Sequence, residues 1–379
     1  MCILDADIKT KERIQEALKM DKLRNAIPKE AFVKSFFWSM FYMIFDYSIW
    51  GASTYGIWYL HSTGIYDTLP TYQQYGATIA HWMISGFFMW CMFVVGHDCG
   101  HGSFSNSTIV NDILGHVAHG SILVPYWPWR LSHQRHHQNH NHVDNDYSHP
   151  WYTKEKLDRP DHDLARAMEA YPWMRLLFPI VGWPIYLYGM PDGSHWIPFS
   201  NERLWQDTDM TEKLKCVVSS FWVLVNVLGI YALNNFSLTS MAYYYGMPVM
   251  VFGWWLVCVT YLQHHDHDTL VYDDENWKYV DAAFETVDRK FGFGIDALHH
   301  HITDGHVAHH LFFRSIPHYN LPIATKGIRD YLNKNLIGDV YQYEETPDFA
   351  YRLHKYMYMF GFRATEAPSS QPPLVKKTN

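Results

Sequence analysis

The sequence predicts an all-α integral membrane protein, with four spanning helices in two hairpins and a helical cap outside the bilayer. Three observations carry this: four apolar stretches free of Lys and Arg, the confinement of every basic side chain to three other segments, and three histidine clusters outside the spans in a chain with 25 histidines. The chain is 48% hydrophobic and 17% aromatic over 379 residues, more than a soluble domain needs. A mean hydropathy of -0.23 averages long polar segments with a few very apolar ones.

The apolar stretches run over about 35–60, 75–96, 216–233 and 241–262, each near the 20 or so residues that cross a hydrocarbon core. The first carries Asp46 and the second His81; an ionisable group at such depth marks a function or sits near an interface. The connectors 61–74 and 234–240 contain no Lys or Arg, so by the positive-inside rule the other segments are cytosolic. This organises the chain as an N-terminal cytosolic segment 1–34, a membrane part 35–262 with a cytosolic loop 97–215, a C-terminal part of the cap 263–359, and a flexible tail 360–379, with both termini cytosolic.

Within the loop, 109–129 is interrupted by Pro125 and Pro128, and 173–190 by Pro179 and Pro184; both read as membrane-surface segments. The N-terminus is charged and lacks the apolar region of a signal peptide, while Ile8, Ile14 and Leu18 are spaced for an amphipathic helix. The tail holds Pro368, Pro372 and Pro373, then Lys376 and Lys377 at the dilysine positions of endoplasmic reticulum retrieval. A net charge of -8 with no basic block gives no footprint for nucleic acid. Five cysteines (Cys2, Cys91, Cys99, Cys216, Cys258) form no CxxC pair, so neither a disulfide framework nor a zinc knuckle is expected.

Three histidine boxes remain: HDCGH at 97–101, HQRHH at 133–137 and HVAHH at 306–310. Helical spacing puts His97 with His101, His133 with His136 and His137, and His306 with His309 and His310 on one face each. Imidazole type alone does not choose among iron, zinc, copper and nickel. Eight converging imidazoles exceed what one zinc takes, and a pair of iron ions that activates dioxygen fits the count. Asp98, Asp144, Asp146 and Asp304 stand beside the boxes, suited to orient imidazole N–H groups, although for Asp144 an ordinary solvated loop acid is the favoured reading. His264, His265 and His267 leave the last span together, and His264 is favoured as a ninth ligand over His300. His116, His119, His140, His142, His149, His162 and His195 follow no ligand spacing.

The sequence at this point resembles the membrane fatty acid desaturases, in their methyl-end group. The resemblance rests on GHDCGHGSFS at 96–105, SHQRHHQNHNHVDND at 132–146, TYLQHHDHD at 260–268 and ITDGHVAHHLF at 302–312. It implies iron ligands at His97, His101, His133, His136, His137, His306, His309 and His310, with His264 where the family has a further histidine. It also implies two iron ions, dioxygen as co-substrate, a fatty acyl lipid or acyl-CoA substrate, and a cis double bond placed at the omega-6 or omega-3 position. HQNHNHVDND looks like the omega-3 members and HITDGHVAHH like the omega-6 members. No HPGG haem motif occurs, so the resemblance implies a separate cytochrome b5 and its reductase at the endoplasmic reticulum membrane.

The same scaffold also supports hydroxylation, acetylenation or conjugated-bond formation. A zinc transporter or receptor is the distant alternative, disfavoured because the boxes lie outside the spans. The aromatic residues of 125–129 and 171–173 suit either a tunnel mouth or, the preferred reading, anchoring at lipid headgroups.

Overall fold

The computed structural model describes residues 8–158, 163–189, 193–199, 202–266 and 268–363. The expectations for Lys376 and Lys377, the prolines of the tail, His162 and His267 lie outside the described residues. In chain order the main helices are α1 (Ile8–Ala17), α2 (Met20–Ala26), α3 (Phe36–Ser62), α4 (Thr71–His101), α5 (Thr108–Ser121), α6 (Tyr126–Asn139), α7 (Phe178–Tyr188), α8 (Met210–Leu233), α9 (Met247–His264), α10 (His306–Phe312), α11 (Leu321–Lys334) and α12 (Phe349–Met359). The chain divides into two units, one of Met1–Lys34, Ser132–Phe178 and Cys258–Asn379, the other of Ser35–Leu131 and Pro179–Val257.

The second of these contains α3, α4, α8 and the first part of α9, to Val257. Ser35 starts α3 by accepting from the Trp38 N–H, the usual work of a serine N-cap. At 31 residues α4 is about 46 Å long, well beyond a 30 Å hydrocarbon core, so the helix outlasts the expected stretch 75–96. It ends where Gly102 takes a left-handed φ of 72° and Ser103 N–H donates back to Asp98 O at 2.9 Å, a glycine-terminated helix end. Asp209 caps α8 through Glu212 N–H, and a short turn with a π-helical stretch, Ala242–Gly246, leads into α9.

Among the described residues three runs, Thr71–His101, Met210–Leu233 and Leu238–His264, are long and apolar enough to cross a membrane. Helix α3 has the length, 27 residues, and buries its one acid, Asp46. Helix α8 leaves Leu214, Val218, Phe221, Leu224 and Leu228 exposed, a patch that suits lipid better than water. The packed interior gathers Met43, Met92, Val95, Cys99, Phe104, Ala118 and Tyr126. His81 is a structural joint: its Nδ1 lies 3.1 Å from Ser85 Oγ and 3.3 Å from Ser53 Oγ, and its Nε2 3.2 Å from Tyr244 O.

Both segments read as membrane-surface elements are helical, with exposed apolar residues such as Ile109, Ile113, Ile180 and Val181, but the headgroup role of Trp129 needs correction. Residues 109–129 form α5 and the start of α6, parted at Ile122–Pro125, and Trp129 is buried against Phe93 with ring centroids 5.0 Å apart rather than anchored at headgroups. Residues 173–190 begin in a 3-10 turn, Pro172–Leu177, and continue as α7, which buries Pro179, Gly182, Trp183 and Leu187. Tyr171 and Trp173 do stay exposed.

In the first unit, Ile14 and Leu18 are buried as their spacing predicts. Helix α11 buries Leu321, Ala324, Thr325, Ile328 and Leu332, and its Gly327 permits close approach of the N-terminal segment, since a Cβ there would stand 2.8 Å from Ala26 O. Asn320 Nδ2 donates to Ala31 O at 3.2 Å and Val33 O at 3.1 Å, and Phe32 meets Phe312 edge to face at 5.7 Å. The all-α expectation is corrected by a two-stranded parallel pair, β1 (Asp288–Lys290) and β2 (Tyr343–Glu345). Buried Arg289 holds this extended backbone in place, donating to Leu262 O, Asp266 and Glu344.

Candidate metal centre

Box two occupies the last two turns of α6 and box three the whole of α10, so in each the spacing i, i+3, i+4 becomes one helical face. Two groups of imidazoles form. In the first, His137 Nε2 lies 3.1 Å from His133 Nε2 and 3.1 Å from His309 Nε2. In the second, His136, His264 and His310 each offer a nitrogen within 4.8 Å of the others, and His306 Nε2 lies 3.0 Å from His264 Nε2.

Box one belongs to the other unit, at the end of α4. There His97 and His101 Nε2 atoms are 3.1 Å apart, with Trp129 packed 5.8 Å from the His97 ring.

These separations are informative. Two imidazoles bound to one ion at about 2.1 Å and at right angles would bring their nitrogens to about 3.0 Å. Imidazoles that merely fill a core turn their nitrogens toward carbonyls or hydroxyls, as His81 does. Here His136 Nε2 and both ring nitrogens of His310 are buried with no hydrogen-bond partner, as are those of His265, but only the former also converge on other imidazole nitrogens, an arrangement natural for donors that face a cation. Burial, and then the neighbouring His306, His264, His140 and His136, push His310 well below the ordinary imidazole pKa. Neutral imidazole is the form that binds metal. The donor set therefore fits metal ions.

Of the four acids beside the boxes, Asp146 orients a box histidine directly: its Oδ1 accepts from His136 Nδ1 at 2.8 Å, and its Oδ2 accepts from Asn141 N–H at 3.0 Å. Asp98 Oδ1 stands 3.5 Å from His97 Nδ1. Asp304 serves His301, not a box residue, at 3.1 Å, and Asp144 is a half-exposed partner of Lys156 at 3.3 Å.

His264 lies in the second group, while the ring of His300 lies 4.6 Å from that of His318. His265 points away, stacked between Trp151 and Tyr261 at 4.4 and 4.5 Å. Two histidines that follow no ligand spacing are neighbours of the cluster: His149 stacks on His264 at 4.2 Å, and His140 lies 4.8 Å from His310 while its Nδ1 meets His137 O at 2.9 Å. His140, one turn past His136, carries the i+4 signal that could have flagged it; His149 lies in a loop where periodicity says nothing.

Comparison with known proteins agrees with this chemistry. The model of the fatty acid desaturase family matches residues 75–343. The Delta(12) fatty acid desaturase fat-2 of Caenorhabditis elegans is 39% identical over 326 residues, covering 84% of this chain and 80% of the relative. The omega-3 fatty acid desaturase fat-1 of the same nematode is 36% identical over 349 residues, 86% of this chain and 78% of the relative. An acyl-lipid omega-3 desaturase (cytochrome b5) of the endoplasmic reticulum of Arabidopsis thaliana is 35% identical over 349 residues, 90% of this chain and 83% of the relative. With paired imidazole groups in place and relatives alike over most of its length, the chain belongs to the fatty acid desaturase family of oxidoreductases, in its methyl-end group.

Proposed function

We propose that nine histidines, His97, His101, His133, His136, His137, His264, His306, His309 and His310, hold two iron ions in a multi-pass enzyme of the endoplasmic reticulum membrane. The observation that carries this is the set of imidazole nitrogens 3.0–3.1 Å apart, together with the unpartnered nitrogens of His136 and His310. A reduced iron pair supplies the capacity to activate dioxygen against an unactivated methylene. The balance is two hydrogens lost from neighbouring methylenes, two electrons and two protons from a carrier, and dioxygen reduced to two waters.

The chain's own residues do the rest. Asp146 fixes the tautomer of His136 so that Nε2 keeps its lone pair, and burial keeps His310 neutral. The four apolar helices span the bilayer as two hairpins with both termini cytosolic. The electron donor is a cytochrome b5 with its reductase, supported by the name of the Arabidopsis relative, and the substrate is an unsaturated acyl lipid, with acyl-CoA as the other carrier the resemblance implies.

The test is fatty-acid methyl ester analysis of a host that makes only monounsaturated acids and expresses this chain, with and without added linoleate. A new omega-6 or omega-3 double bond, absent in His136→Ala, is the expected result and fixes the regiochemistry. Only an oxygenated product would move the assignment to a hydroxylase on the same scaffold.

A further inference from the structure

No side chain of residues 287–289 belongs to the candidate metal-binding groups, yet the segment is stitched to those that carry His264 and His306. On one side Val287 N–H donates to Gln263 O at 2.9 Å, and Arg289 Nε donates to Leu262 O at 2.6 Å. Arg289 Nη2 reaches Asp266 Oδ2 at 2.6 Å. Residues 262, 263 and 266 flank His264 at the end of α9. On the other side Arg289 N–H donates to Thr303 O at 2.9 Å, and Asp288 Oδ1 accepts from Val307 N–H at 2.9 Å in the first turn of α10, next to His306. Asp288 and Arg289 are both fully buried, and Tyr341 donates its hydroxyl to Asp288 Oδ2.

We infer that Asp288 and Arg289 are positioning residues that brace His264 against His306, setting the 3.0 Å separation of their Nε2 atoms. The inference rests on the proposed two-metal reading. Helix α10 is only seven residues long, too short to hold its own orientation, and α9 ends at His264 itself. Both ligands therefore sit at helix ends, and the segment between them supplies fixed bonds to each. A buried guanidinium with three acceptors, Leu262 O, Asp266 and Glu344, is a rigid fork, which a lysine does not reproduce.

The experiment titrates purified full-length protein with cobalt(II) against a competing chelator, reading the ligand-field absorption of the bound ion. The wild-type chain is expected to take two ions. Asp288→Ala and Arg289→Gln should each weaken one ion about 10–100-fold, the usual cost of losing such support, and leave the other unchanged. Asp288→Asn, which keeps an oxygen for Val307 N–H, should recover most of the loss. Two ions bound with wild-type affinity by both variants, or both ions weakened alike, would overturn the inference. A wild-type chain that takes fewer than two ions overturns the two-metal reading, and this inference with it. Should those variants fail to fold, Tyr341→Phe decides: weakening of a single ion supports the brace, and no change overturns it.

Discussion

His136 and Asp146 are joined by a 2.8 Å hydrogen bond from Nδ1 to Oδ1, buried from solvent, ten residues apart in sequence. The bond commits the ring to one tautomer and aims the other nitrogen at His264 and His310. Asp146→Ala is expected to lower affinity for one metal ion about 10–100-fold, while leaving the protein in the membrane. Iron retained per chain during a chelator titration measures this, and retention equal to wild type would remove Asp146 from the support of the site.

His264 carries a sharper expectation. Its Nε2 lies 3.0 Å from that of His306, and its ring 4.6 and 4.8 Å from those of His136 and His310. His264→Ala should reduce bound iron toward one ion per chain and cut product formation at least about 100-fold, as for loss of a direct ligand. His265→Ala, whose ring is held between Trp151 and Tyr261, should retain both ions. Equal metal content in the two variants would sink the distinction.

Trp129 shows how packing supports box one within its own unit. It is 3% exposed and meets Phe93, His119 and His97 at 5.0, 4.7 and 5.8 Å. Gly100, on the same helix as His97, leaves room for it: a Cβ there would stand 3.1 Å from the indole. Trp129→Ala should cost about 3–5 kcal/mol of stability, and Trp129→Phe less than half of that. Thermal unfolding in detergent reads the difference, and matched midpoints for wild type and Trp129→Ala would contradict the packing account.

The boxes were legible because each is a local pattern: His133, His136 and His137 declare a face through spacing alone. His264 was legible for a related reason, emerging from an apolar helix beside other histidines. What spacing does not carry is pairing across long separations. That Asp146 serves His136 while Asp304 serves His301 depends on loop conformation, and the strand at 288–290 pairs with 343–345 through a contact that no period announces. Trp129 was misread because an aromatic run between two prolines looks the same whether it faces headgroups or a core.

His195 gives a pH dependence. It is fully buried, outside the apolar spans, with its ring 4.7 Å from that of Tyr186, and burial lowers its pKa from 6.5 to about 3. Between those values the unfolded chain binds a proton that the folded chain refuses, so folding stability falls as pH drops. The contribution is fully present above 6.5 and is lost as pH approaches about 3. His195→Gln removes this titration and should move the midpoint of acid unfolding to lower pH, provided the amide packs in the same space; stability of the variant at pH 8 checks that condition. Followed by tryptophan fluorescence, which the neighbouring Trp205, hydrogen-bonded to Ser194 O at 3.0 Å, can report, coincident acid midpoints for the two proteins would show that His195 is not held neutral by the fold.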